Sequence, residues 1–196
     1  MNKRQLLGGF ALTAVLALSG CGQDKPAFRG VDITGAEYAQ GWELADQNGQ
    51  VRTLKDFAGK AVIVFFGYTQ CPDVCPTSMQ ELAEVKRLLG KDGERLQGVF
   101  ITVDPERDTA ELLKSYMANF DPSFVALRAS TPEQLVKVTK DFKIYYKKVE
   151  GKTPTSYTMD HSAGSFTFDP QGRVRLYNRY GSGAAALAED VKILLK

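Results

Sequence analysis

Three residues separate Cys71 from Cys75 in Phe66-Gly67-Tyr68-Thr69-Gln70-Cys71-Pro72-Asp73-Val74-Cys75-Pro76, and each cysteine precedes a proline. A residue before proline is biased toward extended dihedrals, and proline suits the first position of a helix. Cys75 is therefore expected at or beside the N-cap of a helix that begins at Pro76. Unpaired amides and the positive end of the helix dipole favour thiolate over thiol there. A lowered thiol pKa serves a nucleophile and a metal ligand equally, so redox chemistry and metal binding both stay open. Cys-x-x-Cys is the familiar redox spacing; this loop is one residue wider. A structural disulfide would close too short a loop to remove much chain entropy. A loop bracketed by glycine and proline is also an odd place for two inert, packed thiols. Asp73 between them reads as a turn residue.

The chain has one histidine, His161, in Tyr157-Thr158-Met159-Asp160-His161-Ser162-Ala163-Gly164. A lone histidine is most often a surface or hydrogen-bonded residue, so its role depends on what the fold sets beside it. Asp160 is a candidate acceptor to orient the imidazole. Met159 is a soft donor by type but reads better as core packing.

The remaining cysteine, Cys21, belongs to a leader. Lys3 and Arg4 precede the apolar run 6–18, which is too short to span a bilayer and fits a secretory signal. The sequence Leu18-Ser19-Gly20-Cys21 resembles a bacterial lipoprotein cleavage box. That resemblance implies removal of residues 1–20, acylation of Cys21 and a tether over 21–37. It places the protein on the periplasmic side of a membrane, expected to be the inner one.

The 196 residues are 43% hydrophobic and 24% charged, proportions that exclude fibrous or wholly disordered chains. Beyond the leader, acidic and basic residues balance, so nothing marks a nucleic-acid surface. The length suits one domain over 38–196, able to bury a core without metal or disulfide.

Several elements must position the cysteines and the histidine. Asn48-Gly49 between 42–46 and 51–54 signals a hairpin. Residues 61–66 (AVIVFF) read as a strand buried on both faces, and 76–89 as a helix. A second buried strand over 97–103 ends at Asp104-Pro105. A helix over 109–120 follows, with Asp108 and Glu111 spaced as a capping box. Then come a strand over 124–128, a helix opened by Thr131-Pro132, and possible strands over 145–149 and 156–160. A hairpin over 165–169 and 173–178 precedes a closing amphipathic helix over 184–195. Tyr145-Tyr146-Lys147-Lys148 reads as a half-buried edge strand. The order implies a mixed sheet flanked by helices, an α/β thioredoxin-like fold with an added N-terminal β-hairpin.

In that fold the loop before the terminal hairpin lies against the cysteine loop, which brings His161 toward Cys71 and Cys75. Two thiolates and an imidazole form a soft, low-coordinate set suited to Cu(I), and to Cu(II) with an added ligand. A closed structural zinc site prefers four protein ligands.

FGYTQCPDVCP (66–76), ITVDPERDT (101–109) and DHSAGSFTFDPQGRV (160–174) together resemble the Sco/SenC family of copper-binding proteins. The similarity covers nearly the whole domain. It implies a membrane-tethered thioredoxin-like protein whose copper ligands are Cys71, Cys75 and His161. It further implies work on the dinuclear copper centre of cytochrome c oxidase. The role is that of a copper metallochaperone, or of a thiol–disulfide oxidoreductase that reduces the recipient's cysteines through Cys71 and Cys75. A copper or redox sensor is also compatible; a peroxidase fits less well. Expected partners are the copper-centre subunit of the oxidase or another copper chaperone. Arg107 in the second motif is read as a partner contact.

Overall fold

The computed structural model describes residues 27–153 and 156–196; the leader and Cys21 lie outside the described residues. Strand β1 (Val31–Asp32) is followed by the hairpin β2 (Glu43–Asp46) and β3 (Val51–Thr53), then β4 (Ala61–Gly67) and helix α1 (Val74–Leu88). Next come β5 (Leu96–Thr102), α2 (Ala110–Ala118), β6 (Val125–Arg128) and α3 (Pro132–Asp141). The chain closes with β7 (Tyr146–Val149), β8 (Thr158–His161), β9 (Ser165–Phe168), β10 (Val174–Asn178) and α4 (Ala184–Leu194).

The main sheet runs β1-β10-β9-β4-β5-β6-β2-β3, and β7 with β8 forms a separate two-stranded sheet. The pairs β4–β5 and β5–β6 are parallel; β4–β9 and the outer pairs are antiparallel. Every residue of β4 and β5 is buried, as their unbroken apolar runs require of central strands covered on both faces. Phe65, Phe66, Phe100, Phe142 and Phe168 fill the core around them, each stabilising the fold by about 1.5–3 kcal/mol through its burial. This is the mixed α/β thioredoxin-like architecture expected. The added hairpin joins the main sheet edge-on, through β2 against β6.

Three local expectations need correction. The stretch 21–37, read as tether, contains β1, which pairs with β10; ladder hydrogen bonds outweigh its weak periodicity. Helix α1 starts at Val74 with Asp73 as N-cap, so Cys75 sits inside its first turn. First-turn amides have no intrahelical acceptor, so Pro76 forfeits no hydrogen bond there. The cap of α2 is Thr109, whose side chain accepts from Leu112 N–H, while Asp108 is fully buried.

Candidate metal centre

The strand β4 ends at Gly67, and the chain turns through Tyr68-Thr69-Gln70 into Cys71 before α1 begins. Cys71 N–H donates to Tyr68 O at 3.2 Å, closing that turn. Cys75 is wholly buried and Cys71 half-buried, and both are free thiols. Gly67 is a steric requirement: a Cβ there would lie 2.7 Å from Cys75 Sγ and 2.9 Å from both Phe65 and Phe100 rings.

His161 ends β8, paired with Tyr146 of β7. Its Nε2 lies 3.4 Å from Cys75 Sγ, and its Nδ1 lies 2.9 Å from Ser162 O. A carbonyl oxygen only accepts, so Nδ1 carries the proton and the Nε2 lone pair faces the thiols. The ring stands edge-on to Phe65 and Tyr68, at 6.1 and 5.9 Å between centroids. The ligand atoms of Cys71, Cys75 and His161 all lie within 4.8 Å of one another. Bonds of about 2.0 Å to nitrogen and 2.3 Å to sulfur need ligand atoms roughly 3.5–4 Å apart.

The two thiols are electrostatically unlike. A hydrogen bond from Cys75 holds Cys71 far below the usual thiol range, at about 4, with backbone amides adding to it against the cost of burial. One of those amides is Cys75 N–H, 3.4 Å from Cys71 Sγ, a first-turn donor of the kind that stabilises thiolates. The same pairing, with burial, pushes Cys75 up. The proton between the two sulfurs therefore rests on Cys75 and leaves Cys71 as the thiolate.

Two acidic residues of the segment 104–108 hold this arrangement. Asp108 accepts from Thr69 N–H at 3.1 Å, from Thr69 Oγ1 at 2.5 Å and from Thr102 Oγ1 at 2.5 Å. It thereby ties the cysteine loop to the end of β5; burial raises its pKa despite those bonds. Asp104, also buried, accepts from Arg107 Nε and from the Tyr157 hydroxyl.

Arg107 is an internal clamp rather than a partner contact. Its side chain is 14% exposed, donates to Tyr157 O at 2.8 Å and Gln70 Oε1 at 3.1 Å, and lies 3.5 Å over the Tyr157 ring. Asp160 likewise departs from expectation. It is exposed, opposite Lys147, and the acceptor at His161 Nδ1 is the Ser162 carbonyl, because strand alternation turns neighbouring side chains to opposite faces. Met159 packs against the core, as read. Tyr146 is half-buried, but Tyr145, Lys147 and Lys148 are exposed. Gly67, Tyr68 and Asp108 were not singled out as site residues; only the cramped Phe-Phe-Gly-Tyr turn and the Asp-Pro-Glu-Arg-Asp run hinted at them. A surface groove of about 760 Å³ beside Trp42 and α3 is lined by neither cysteine nor histidine.

The SCO1/SenC family model matches residues 31–196. An SCO2-like protein of Rickettsia felis is 35% identical over 152 residues, covering 77% of this chain and 74% of the relative. The human mitochondrial SCO2 homologue is 33% identical, covering 77% of this chain. The match spans 57% of that human protein's own length, less than two thirds of it. Among solved structures, copper-bound ScoI of Bradyrhizobium japonicum is 42% identical with a TM-score of 0.71, covering 79% of this chain and 97% of that one. Apo Sco1 of Thermus thermophilus is 32% identical with a TM-score of 0.75, covering 86% and 97%.

Proposed function

The chain belongs to the SCO1/SenC family, and from that premise we propose that it is a copper metallochaperone acting in assembly of the dinuclear copper centre of cytochrome c oxidase. The observation that carries the reading is the meeting of Cys71, Cys75 and His161 within 4.8 Å at one end of the sheet. Two sulfurs and an imidazole nitrogen favour copper over harder ions. Three protein ligands leave the ion open to attack by an incoming cysteine or histidine. Transfer then proceeds by exchange, each incoming ligand displacing one of these. Copper is cargo in this scheme, and binding it as a dithiolate displaces the one proton that Cys75 carries. Anchoring through an acylated Cys21, on the periplasmic side of the inner membrane, completes the proposal.

A competitive Cu(I) titration of the reduced, anchor-free domain tests it, with a chromophoric chelator as competitor. Wild type is expected to bind one ion tightly; the Cys71/Cys75 double serine variant loses binding and His161→Ala weakens it. Equal weak binding by all three refutes the reading.

The asymmetry of the thiols supports a second reading, reduction of a recipient's disulfide. Cys71 thiolate attacks one sulfur of that disulfide and expels the other as thiolate, forming a mixed disulfide. Cys75, surrendering its proton, then attacks Cys71 Sγ, which leaves a Cys71–Cys75 disulfide and a reduced recipient. Two electrons pass to the recipient. This activity survives His161→Ala, whereas copper binding weakens.

A further inference from the structure

The way the chain enters the fold bears on where the metal centre faces. Residues 29–32 form a strap along the outer edge of the main sheet. Arg29 N–H and Gly30 N–H donate to the two oxygens of the Asp190 carboxylate, each at 2.8 Å, and Asp190 is 1% exposed. Arg29 Nε also meets Glu189 at 3.0 Å. Gly30 fits because it has no side chain: a Cβ would lie 2.7 Å from Asn178 Oδ1. The root of the N-terminal segment is therefore fixed in direction as well as position.

The ladder registers locate that root. Val31 pairs with Tyr177, so Gly30 stands level with Asn178; Asn178 pairs with Ser165, and Ser165 with Phe65. Phe65 is two residues from the end of β4, where the cysteine loop opens, and Ser165 follows His161 by four residues. The strap thus enters at the same end of the sheet as Cys71, Cys75 and His161. Three strand spacings, about 14 Å, separate its row from β4. Even fully extended, residues 21–28 reach only about 25 Å.

Resting on the Cys21 anchor proposed above, we infer that the strap turns the metal-centre end of the sheet toward the bilayer. Copper is then exchanged with a partner held in the same membrane, whose ligands stand close to the lipid surface. A soluble carrier approaching from the open aqueous side meets the opposite end, the β9–β10 turn at Gln171.

The test uses the full acylated chain in phosphatidylcholine vesicles carrying an acceptor dye on the headgroups. One sample bears a donor dye on Cys71 in a Cys75→Ser background; the other bears it at Gln171→Cys with both cysteines changed to serine. Energy transfer is expected to be at least about twofold greater from position 71, since the two ends of the sheet lie about 20 Å apart. Inserting twenty Gly/Ser residues after Gln23 should abolish the difference. Equal transfer, or greater transfer from position 171, overturns the orientation while the anchor stands. Wild-type chain that fails to float with vesicles, or a Cys21→Ser chain that still floats, overturns the anchor instead.

Discussion

Replacing Gly67 with alanine places a methyl group 2.7 Å from Cys75 Sγ and 2.9 Å from the Phe65 and Phe100 rings. Ordinary contacts need about 3.5–4.0 Å, so roughly 1 Å of movement must come from somewhere. Both rings are buried in the core and the strand is held on two sides by β5 and β9. The sulfur, at the start of a helix, is the part that yields. Overpacking of this kind costs about 1–3 kcal/mol of stability. Copper binding should suffer separately, because a metal site tolerates ligand displacements of only about 0.2 Å. A fall of about 10–100-fold in Cu(I) affinity is expected, the range seen when the surroundings of metal ligands are disturbed. The control is Gly98→Ala, whose Cβ would meet the Phe124 ring at 2.8 Å but lies away from the centre. It should lose similar stability in urea yet keep its Cu(I) affinity within about twofold, as sites without shared partners do. Chelator competition and urea denaturation on both variants give the two numbers. Wild-type affinity in Gly67→Ala, alongside a normal loss of stability, would refute the argument that backbone crowding sets the sulfur's position.

Alkylation of the reduced domain by iodoacetamide should modify Cys71 at a rate nearly flat from pH 6 to 8, falling only as pH nears about 4. An ordinary thiol would speed up about tenfold per pH unit over that range; peptide mass mapping should find buried Cys75 untouched. Arg107→Ala strips the buried Asp104 of its ion-pair partner and should cost about 3–5 kcal/mol. Amide exchange in β8 would quicken with it, and Arg107→Lys would not restore the stacked, forked contact. Asp108→Ala leaves the Thr69 amide and the Thr102 hydroxyl without their acceptor. At about 1–3 kcal/mol for each orphaned group, the loss is measurable by chemical denaturation.

The central strands, the hairpins and the helices α1, α3 and α4 were legible in sequence because their signals are local: unbroken apolar runs, Asn-Gly, Thr-Pro and helical spacing. The three members of the clustered site were legible too, since cysteine and histidine are scarce enough that type alone marks them. What sequence hid was direction. Asp108 has the type and spacing of a helix cap, but Thr109 beside it offers the same oxygen, and the loop's need for a buried acceptor decided between them. Arg107 reads as a surface charge until Tyr157, 50 residues later, arrives under it. Asp160 neighbours His161 along the chain, yet the strand turns the two apart. The strap at 29–32 carries no pattern of its own; its partners, Asp190 and β10, lie more than 140 residues away.

Cys75 and His161 are 86 residues apart in the chain, separated by β5, α2, β6, α3 and β7. A partly unfolded chain offers a metal only a bare dithiol. The third ligand arrives when the last strands close. An ion that binds the finished three-ligand fold more tightly than the bare dithiol shifts the folding equilibrium toward that fold by mass action, by about 1.4 kcal/mol for each tenfold difference in affinity. On the proposed role, handing the ion on would withdraw that support and leave a protein more open to proteases than the one that arrived. Metal supply would then govern the protein's lifetime as well as its traffic.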